Sequence, residues 1–304
     1  MRKAIVSRLI KLAVKDPGVF LLTGDLGFSY LEAFAEKFPR RFFNIGVAEQ
    51  NMIGVAAGLA LSGKKVFVYS IATFVSMRAF EQIKIDLCYQ NLNVKIIGAG
   101  AGLSYGNYGA THYALEDVAI MRVLPNMKIF CPANSIEADW VVRTAYQQSG
   151  PAYIRSAKGY DDAVYSKPPK LKFGKGLIVK PGKDVALLVS GALLGNALKA
   201  RKILKTQSIS TRIISFPTVK PLDKQLILKT ARQTKVIFTL EETSIVGGFG
   251  SAVAEILAEA GLATKFKRLA LPDFYPEKLG SQAYLRDQLG LSPEKISQTV
   301  LKTL

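Results

Sequence analysis

The chain has 304 residues, 49% of them hydrophobic, so it is long enough to bury a substantial core and suggests two domains. Lys and Arg number 41 against 23 Asp and Glu, a formal net charge of +18, but these charges are scattered along the chain, so nucleic-acid binding is not expected. No apolar run is long enough to span a bilayer and the first residues do not resemble a signal peptide, so we expect a cytoplasmic protein without membrane contact.

The first half of the chain alternates short strand-like runs with helical patterns. "MRKAIVSRLIKLAVKDPG" predicts an amphipathic helix, and the strand candidates that follow are GVFLLTGD, KKVFVYSIA, NVKIIGAGAG, NMKIFCPAN and PAYIRSA. Between them lie helical segments such as QNMIGVAAGLALSG, SMRAFEQIKIDLCYQ and SIEADWVVRTAYQQS. This alternation predicts crossover units and a mainly parallel sheet. Two isolated cysteines, Cys88 and Cys131, are predicted to be core thiols rather than metal ligands or a disulfide.

A segment without period separates two halves. Residues 161–172, with a Pro pair, predict a linker between a domain at 1–160 and a smaller one at 173–304. After it the alternation restarts with DVALLVSG, STRIISFP and KVIFTLEE as strands, and ends in the glycine-led helix GGFGSAVAEILAEAG. The sequence therefore predicts an α/β protein of two doubly wound domains, with ligands at the carboxyl ends of the strands.

Glu49 stands at the start of a small, apolar helix in "RFFNIGVAEQNMIGVAAGLALSG". One interpretation is that its carboxylate interacts with the positive end of the helix dipole. The other is a functional carboxyl in dry surroundings that shares a proton with a ligand nitrogen. The small residues along this helix would let another backbone approach closely.

Two further segments follow strands. Phe74, in "SIATFVSMRAF", is either a core side chain or an aromatic face at the sheet edge for a flat heterocycle. His112 is the only histidine and follows the glycine-rich "GLSYGNYGATHYALED". Glycines there permit positive φ and close approach to a ligand, although a structural role for His112 stays open.

Together with "MRVLPNM", "SGPAYIR" and "EETSIVGGFGSAVAE", these segments resemble the carboxyl-terminal half of transketolase over nearly the whole chain. The resemblance is stronger to the split form, in which that half is a separate subunit. It implies a pyrimidine-binding domain followed by a transketolase C-terminal domain, with thiamine diphosphate as cofactor. The implied reaction transfers a two-carbon ketol unit through a carbanion bound to thiamine diphosphate.

The resemblance also implies roles for individual residues. Glu49 would hydrogen-bond the pyrimidine and thereby activate the thiazolium carbon, and His112 would exchange protons with substrate oxygens. The remaining implied cofactor contacts are Phe74, Met77, Phe80, Asp25 and Leu26. The implied substrate positions are Ser29, Gly100, Asn107, Tyr108, His112, Tyr113 and Lys158.

One family element is missing. Members hold Mg²⁺ and the diphosphate through a GDG…N element, and none occurs here, so no metal ligand is predicted in this chain. We therefore expect an N-terminal transketolase-like partner subunit that supplies the Mg²⁺ ligands, in an α2β2 heterotetramer with the cofactor between unlike subunits.

Several substrate-reading positions depart from the family pattern. Asn107, Tyr108 and Tyr113 replace a Glu, an Asp and a Gln, while Gly100 and Lys158 replace a His and a phosphate-binding Arg. Because Lys lacks the planar fork of Arg and the hydroxyl-reading carboxylate is gone, we expect sugar or sugar-phosphate substrates of a non-standard kind.

Two alternatives stay open. Another activity of the thiamine-diphosphate superfamily, similar to deoxyxylulose-phosphate synthase or a 2-oxoacid decarboxylase, would share Glu49 and the domain plan. A non-catalytic interaction subunit would keep the fold alone. The C-terminal domain is expected to support the dimer, with Glu241 and Glu242 in a packing or contact role.

Overall fold

The computed structural model describes residues 1–158 and 164–304, and helices and strands alternate through both halves as the sequence predicts. The first half contains α1 (Arg2–Lys15), β1 (Val19–Thr23), α2 (Glu32–Lys37), β2 (Phe42–Asn44), α3 (Glu49–Leu61), β3 (Lys65–Ile71), α4 (Ala72–Arg78), α5 (Phe80–Gln82), β4 (Val94–Ala99), α6 (Asp117–Arg122), β5 (Lys128–Phe130), α7 (Ser135–Gln147) and β6 (Ala152–Ser156). A π-helical segment, Ile83–Tyr89, continues α5.

The second half repeats this plan. It contains β7 (Leu177–Lys180), β8 (Val185–Val189), α8 (Leu194–Thr206), β9 (Thr211–Ser215), β10 (Thr218–Lys220), α9 (Lys224–Gln233), β11 (Val236–Ser244), α10 (Phe249–Glu259), β12 (Lys265–Leu271), α11 (Gln282–Gln288) and α12 (Pro293–Thr303). The predicted linker begins inside residues 159–163, which lie outside the described residues, so the domain bounds stay a prediction.

The first sheet has seven strands in the order β10-β5-β6-β4-β3-β1-β2, and all pairings but that of β10 are parallel. Alternate residues of β3 supply the two faces: Val66 and Val68 join one apolar core, whereas Phe67 and Tyr69 join another. Helix α1 packs on α7 over the second of these cores, and α3 packs against β3. The sheet is therefore covered on both faces, which confirms the predicted doubly wound fold.

The second sheet has five strands in the order β12-β11-β8-β9-β7, with β7 antiparallel at its edge. Strand β10 leaves this half and pairs with β5 of the first sheet, where Thr218 lies opposite Phe130. One apolar cluster also runs across both halves and includes Ile129, Phe216 and Phe249. A three-residue strand carries too few side chains to show a period, so the sequence pattern did not predict this exchange.

The structure also shows the state of the two cysteines and whether its helices could cross a membrane or its side chains hold a metal ion. Cys88 and Cys131 are both free and buried, as predicted. Within the residues that the structure describes, no helix is long and apolar enough to cross a membrane, and no group of acidic, His or Cys side chains could hold a metal ion.

Candidate functional site

The predicted site residues gather at one edge of the first sheet. Asp25 follows β1, Glu49 follows β2, Phe74 follows β3, His112 lies in the loop after β4, and Lys158 follows β6. These five strands are neighbours in the order β6-β4-β3-β1-β2, so their carboxyl ends form one continuous edge. Five segments far apart in sequence are thereby brought together where parallel sheets bind ligands.

Glu49 is the first residue of α3 and is only 1% exposed. It lies in the first turn of the helix, where a carboxylate interacts favourably with the positive end of the helix dipole. Ser70 Oγ donates to Oε1 at 2.8 Å and Arg78 Nη1 donates to Oε2 at 2.9 Å. The loop after β1 also approaches closely, because a Cβ at Gly24 would lie 3.4 Å from Oε1. Glu49 is therefore a buried, doubly hydrogen-bonded carboxylate at the start of α3.

Phe74 is half-buried and contacts two other site residues. The Arg78 guanidinium carbon lies 4.2 Å from the centre of the Phe74 ring, in cation–π geometry. The His112 ring meets Phe74 edge to face, with 5.2 Å between ring centres. Phe74 and His112, which both follow strands in the sequence, are thus direct neighbours in space.

The His112 ring also contacts residues of its own loop. Thr111 Oγ1 shares a hydrogen bond with His112 Nδ1 at 2.9 Å, and the Tyr108 ring lies 5.0 Å away. Burial lowers the pKa of His112 below its usual value, and the positive charge of Arg78 lowers it further. A histidine held neutral in this way can accept a proton through Nε2 while Thr111 orients Nδ1.

The altered substrate positions surround a tyrosine that sequence reasoning did not single out. Gly100 has φ +83°, and a Cβ there would lie 1.9 Å from the Tyr105 ring, so Tyr105 fills the place of any larger side chain at residue 100. The Lys158 ammonium lies 4.8 Å from the centre of this ring, and the Lys158 amide donates to Ser104 Oγ. The charge of Lys158 therefore lies next to the Tyr105 ring, and its backbone is bound to the same loop.

The other predicted substrate residues separate into two groups. Asn107 and Tyr108 are exposed on a short 3₁₀ turn, and the Tyr108 ring is 62% exposed at the mouth of the loop. Tyr113, in contrast, is 1% exposed and packs in the apolar core of the second sheet, and its hydroxyl donates to the Gly106 carbonyl at 2.8 Å. Tyr113 thus binds the loop before His112 from its buried side, while the Tyr108 side chain is exposed to solvent.

The remaining predicted positions, four for the cofactor and Ser29 for the substrate, differ in their exposure and contacts. Asp25 is exposed and has φ +57°, and Asn44 Nδ2 donates to its carboxylate at 2.8 Å. Leu26 lines a cavity of about 130 Å³. Met77 is 41% exposed on α4, and Phe80 is half-buried against the first core. Ser29 is exposed, and its amide donates to Glu32 Oε1 at 2.6 Å.

Arg78 and Tyr105 are the site residues that sequence reasoning missed. Arg78 lies four residues after Phe74 on the same helix, so the spacing placed both on one face. Tyr105 lies in the quoted glycine-rich loop, but only the folded chain shows that it covers Gly100.

The C-terminal half holds this loop in place. Glu242 accepts hydrogen bonds from the Leu103 amide at 2.9 Å, from Gln282 Nε2 at 2.7 Å and from Arg286. Glu241 accepts from the Phe249 and Gly250 amides at the start of α10, and burial raises its pKa. Both glutamates are buried and hydrogen-bonded within this chain.

Comparisons with known proteins match this architecture over both halves. The family "Transketolase, pyrimidine binding domain" matches residues 1–160, and "Transketolase, C-terminal domain" matches residues 174–296. The chain is 39% identical to a putative transketolase C-terminal section of Methanocaldococcus jannaschii, over 100% of this chain and 96% of that protein. It is 35% identical to a 6-deoxy-6-sulfo-D-fructose transketolase subunit of Clostridium sp., over 97% of this chain and 92% of that one.

Solved structures agree. A protein described as a split-gene transketolase in an inactive β4 tetramer has a TM-score of 0.91 and 38% identity, over 100% of this chain and 97% of that one. A transketolase from Campylobacter jejuni shares the fold with a TM-score of 0.84 at 17% identity, and this chain spans 46% of its length.

Proposed function

This chain belongs to the transketolase family, and from that premise we propose that it is one subunit of a two-subunit enzyme that transfers a two-carbon ketol unit between sugars. The observation that carries the proposal is the series of contacts that links Glu49, through Arg78, to Phe74 and His112 at one edge of the sheet. A buried carboxylate, an aromatic face and a neutral histidine are the groups that activation of thiamine and proton exchange with a sugar require.

Thiamine diphosphate, when bound, supplies a carbon nucleophile that adds to a sugar carbonyl. Glu49 would bind the nitrogen of its pyrimidine ring, since its carboxylate is buried and held by Ser70. Phe74 would present its ring to the flat heterocycle. His112 would take and return protons at substrate oxygens, because its ring is oriented by Thr111 and its lowered pKa favours the neutral form.

The second subunit is part of the proposal because the diphosphate needs hard oxygen ligands through Mg²⁺. Residues 1–158 and 164–304 contain no group that could hold a metal ion. Helices α3 and α4 expose apolar side chains to solvent, including Val55, Leu61 and Met77. Relatives are named as subunits, and a structural neighbour without a second kind of chain is described as inactive. A partner that carries the Mg²⁺ ligands would complete the site, in an α2β2 assembly.

We further propose that the substrates are not the ordinary sugar phosphates of transketolase. At the positions that would read a sugar, Tyr105 covers Gly100, Tyr108 replaces an acid and Lys158 replaces an Arg. Split relatives are named for 6-deoxy-6-sulfo-D-fructose and for apulose 4-phosphate, which are unusual sugars. A modified or branched sugar is therefore the substrate class that this site favours.

A second candidate activity is favoured by other relatives. The chain is 37% identical to the 1-deoxy-D-xylulose-5-phosphate synthase of Shouchella clausii, over 97% of this chain and 47% of that protein. Such an enzyme would consume pyruvate and release carbon dioxide, whereas ketol transfer releases none. Measuring carbon dioxide from labelled pyruvate separates the two.

The proposal is tested with the chain reconstituted with its partner subunit, Mg²⁺ and thiamine diphosphate. Mass spectrometry of a panel of ketose donors and aldose acceptors should detect acceptors extended by two carbons. The Glu49→Gln variant should lose at least about 100-fold in turnover, the range of general acid–base groups. Glu81→Gln, on an exposed glutamate of the neighbouring α5, is the matched control and should keep full turnover.

Two results would contradict the proposal. Full turnover of Glu49→Gln would remove its assigned role, and no turnover or cofactor binding with any partner would favour the non-catalytic interaction subunit. Ordinary transketolase efficiency with xylulose 5-phosphate and ribose 5-phosphate would refute the unusual substrate class.

A further inference from the structure

Arg78 makes two contacts at once, and each uses a group that the proposed function gives to the cofactor. Its Nη1 donates to Glu49 Oε2 at 2.9 Å, and its guanidinium carbon lies 4.2 Å from the centre of the Phe74 ring. A guanidinium is planar, stacks on aromatic faces and presents N–H groups in its own plane. An aminopyrimidine is also a flat ring with nitrogen at its edge. Arg78 therefore contacts the Phe74 ring and the Glu49 carboxylate in the way that the pyrimidine ring of the cofactor would.

We propose that Arg78 is a positioning residue that holds Glu49 and Phe74 in the cofactor-free chain and is displaced when the pyrimidine ring binds. The inference rests on the proposed function, because it assumes that thiamine diphosphate binds at Glu49. It adds a competition between the cofactor and a side chain of this protein for the same carboxylate and the same ring.

The free chain needs such a contact because Glu49 is 1% exposed. A buried carboxylate without a cation or enough hydrogen bonds is strongly unfavourable, and Ser70 supplies only one hydrogen bond. Arg78 therefore keeps this half of the site folded before the partner and the cofactor arrive.

Displacement of Arg78 is also inexpensive. Its side chain is 47% exposed and lies on the last residue of α4, beside the exposed Met77. A long side chain at a helix end can move its charged group into water while its stem remains in place. Because Glu49 stays buried, the exchange requires the ligand to take over its hydrogen bond, and a pyrimidine nitrogen would do so.

The test measures the affinity of the reconstituted two-subunit enzyme for thiamine diphosphate with Mg²⁺ by isothermal titration calorimetry. Arg78→Met keeps the apolar stem and removes the competitor, so its Kd should fall about tenfold, the combined size of one weak ion pair and one cation–π contact. Arg78→Lys keeps the charge without the planar fork, so its Kd should lie between those of the wild type and Arg78→Met. Arg232→Met, on an exposed arginine of α9, should leave Kd unchanged.

The sign of the effect separates this role from a merely structural one. If Arg78 only supported the fold, its removal would weaken cofactor binding, so an equal or higher Kd for Arg78→Met overturns the inference. If neither the wild type nor any variant binds thiamine diphosphate, the proposed function fails and the inference fails with it.

A crystal structure of the cofactor-loaded complex gives an independent readout that does not require the variants to fold. Arg78 Nη1 should lie beyond hydrogen-bond distance of Glu49 Oε2. Retention of the 2.9 Å contact beside bound cofactor would overturn the inference.

Discussion

Removing the guanidinium of Arg155 should destabilise the protein more than any ordinary surface change, because Arg155 lies in a buried ion pair. Asp117 is fully buried and accepts from Arg155 Nε at 2.8 Å and from Tyr153 OH at 2.7 Å. Among the described residues, Asp117 Oδ1 has no hydrogen-bond partner. Arg155 Nη2 also donates to the carbonyls of Ala114, at 2.8 Å, and Glu242, at 2.9 Å. One side chain thus connects the sheet, the loop after His112 and the second half.

The Arg155→Met variant leaves the Asp117 carboxylate buried without its cation. Breaking a buried pair in this way costs roughly 3–5 kcal/mol of unfolding free energy. For a chain of this size, about 2 °C of melting temperature per kcal/mol converts this cost to a decrease of roughly 6–10 °C. Thermal unfolding followed by circular dichroism at pH 7, with urea unfolding as a second measure, gives both quantities.

Two controls make the reasoning refutable. Arg143→Met, on an exposed arginine of α7, should change unfolding free energy by less than about 0.5 kcal/mol. The double variant Asp117→Leu with Arg155→Met should recover part of the loss, because no unpaired charge remains. A loss below about 1 kcal/mol for Arg155→Met, or a double variant no more stable than the single one, would refute the argument.

Three further predictions follow from titrating and backbone groups. Burial, assisted by the charge of Lys128, lowers the pKa of Lys95 from 10.5 to about 7. Between these two pKa values the unfolded chain binds a proton that the folded chain lacks. The unfolding free energy of the wild type relative to Lys95→Met should therefore rise with pH, by up to about 1.4 kcal/mol per pH unit. A difference between the two proteins that does not change with pH would contradict this. The pKa of His112, the only histidine, should move upward in Arg78→Met because a nearby positive charge is lost. Proton NMR of the free chain measures this pKa, and an unchanged value would show that Arg78 does not lie near His112. Gly100→Ala should lower unfolding free energy by at least about 1 kcal/mol, because φ is +83° and the new Cβ meets the Tyr105 ring. Thermal unfolding checks this cost, and wild-type stability would show that the loop accommodates the Cβ.

Much of the fold could be predicted from local sequence because its signals are local. The runs around Val66 to Val68 and Val185 to Val189 are apolar and β-branched and became buried strands of two sheets. Glycine-led and amphipathic segments became helices between them. The carboxyl ends of parallel strands lie at the same edge of the sheet. Asp25, Glu49 and Phe74, which follow three of these strands, could therefore be expected from the sequence to lie close together.

Some features could not be predicted because they depend on pairs that are distant in sequence. Strand β10 joins the first sheet only because the second half packs against it, and its three residues carry no pattern. Tyr113 looked like a substrate residue by its place after His112, yet its side chain packs in the apolar core of the second sheet. Alternation along an irregular loop does not show which side chains face inward.

Glu49 illustrates the difference between what the sequence determined and what only the tertiary structure decided. The sequence by itself determined the α/β class, the family and the place of a carboxyl at the start of α3, because short-range patterns and motif spacing carry that information. Only the tertiary structure decided what this carboxyl touches: Ser70 and Arg78 lie 21 and 29 residues further along the chain. A charge is stable in a dry site only when folding brings a partner to it, and the choice of partner belongs to the packed chain rather than to any local segment.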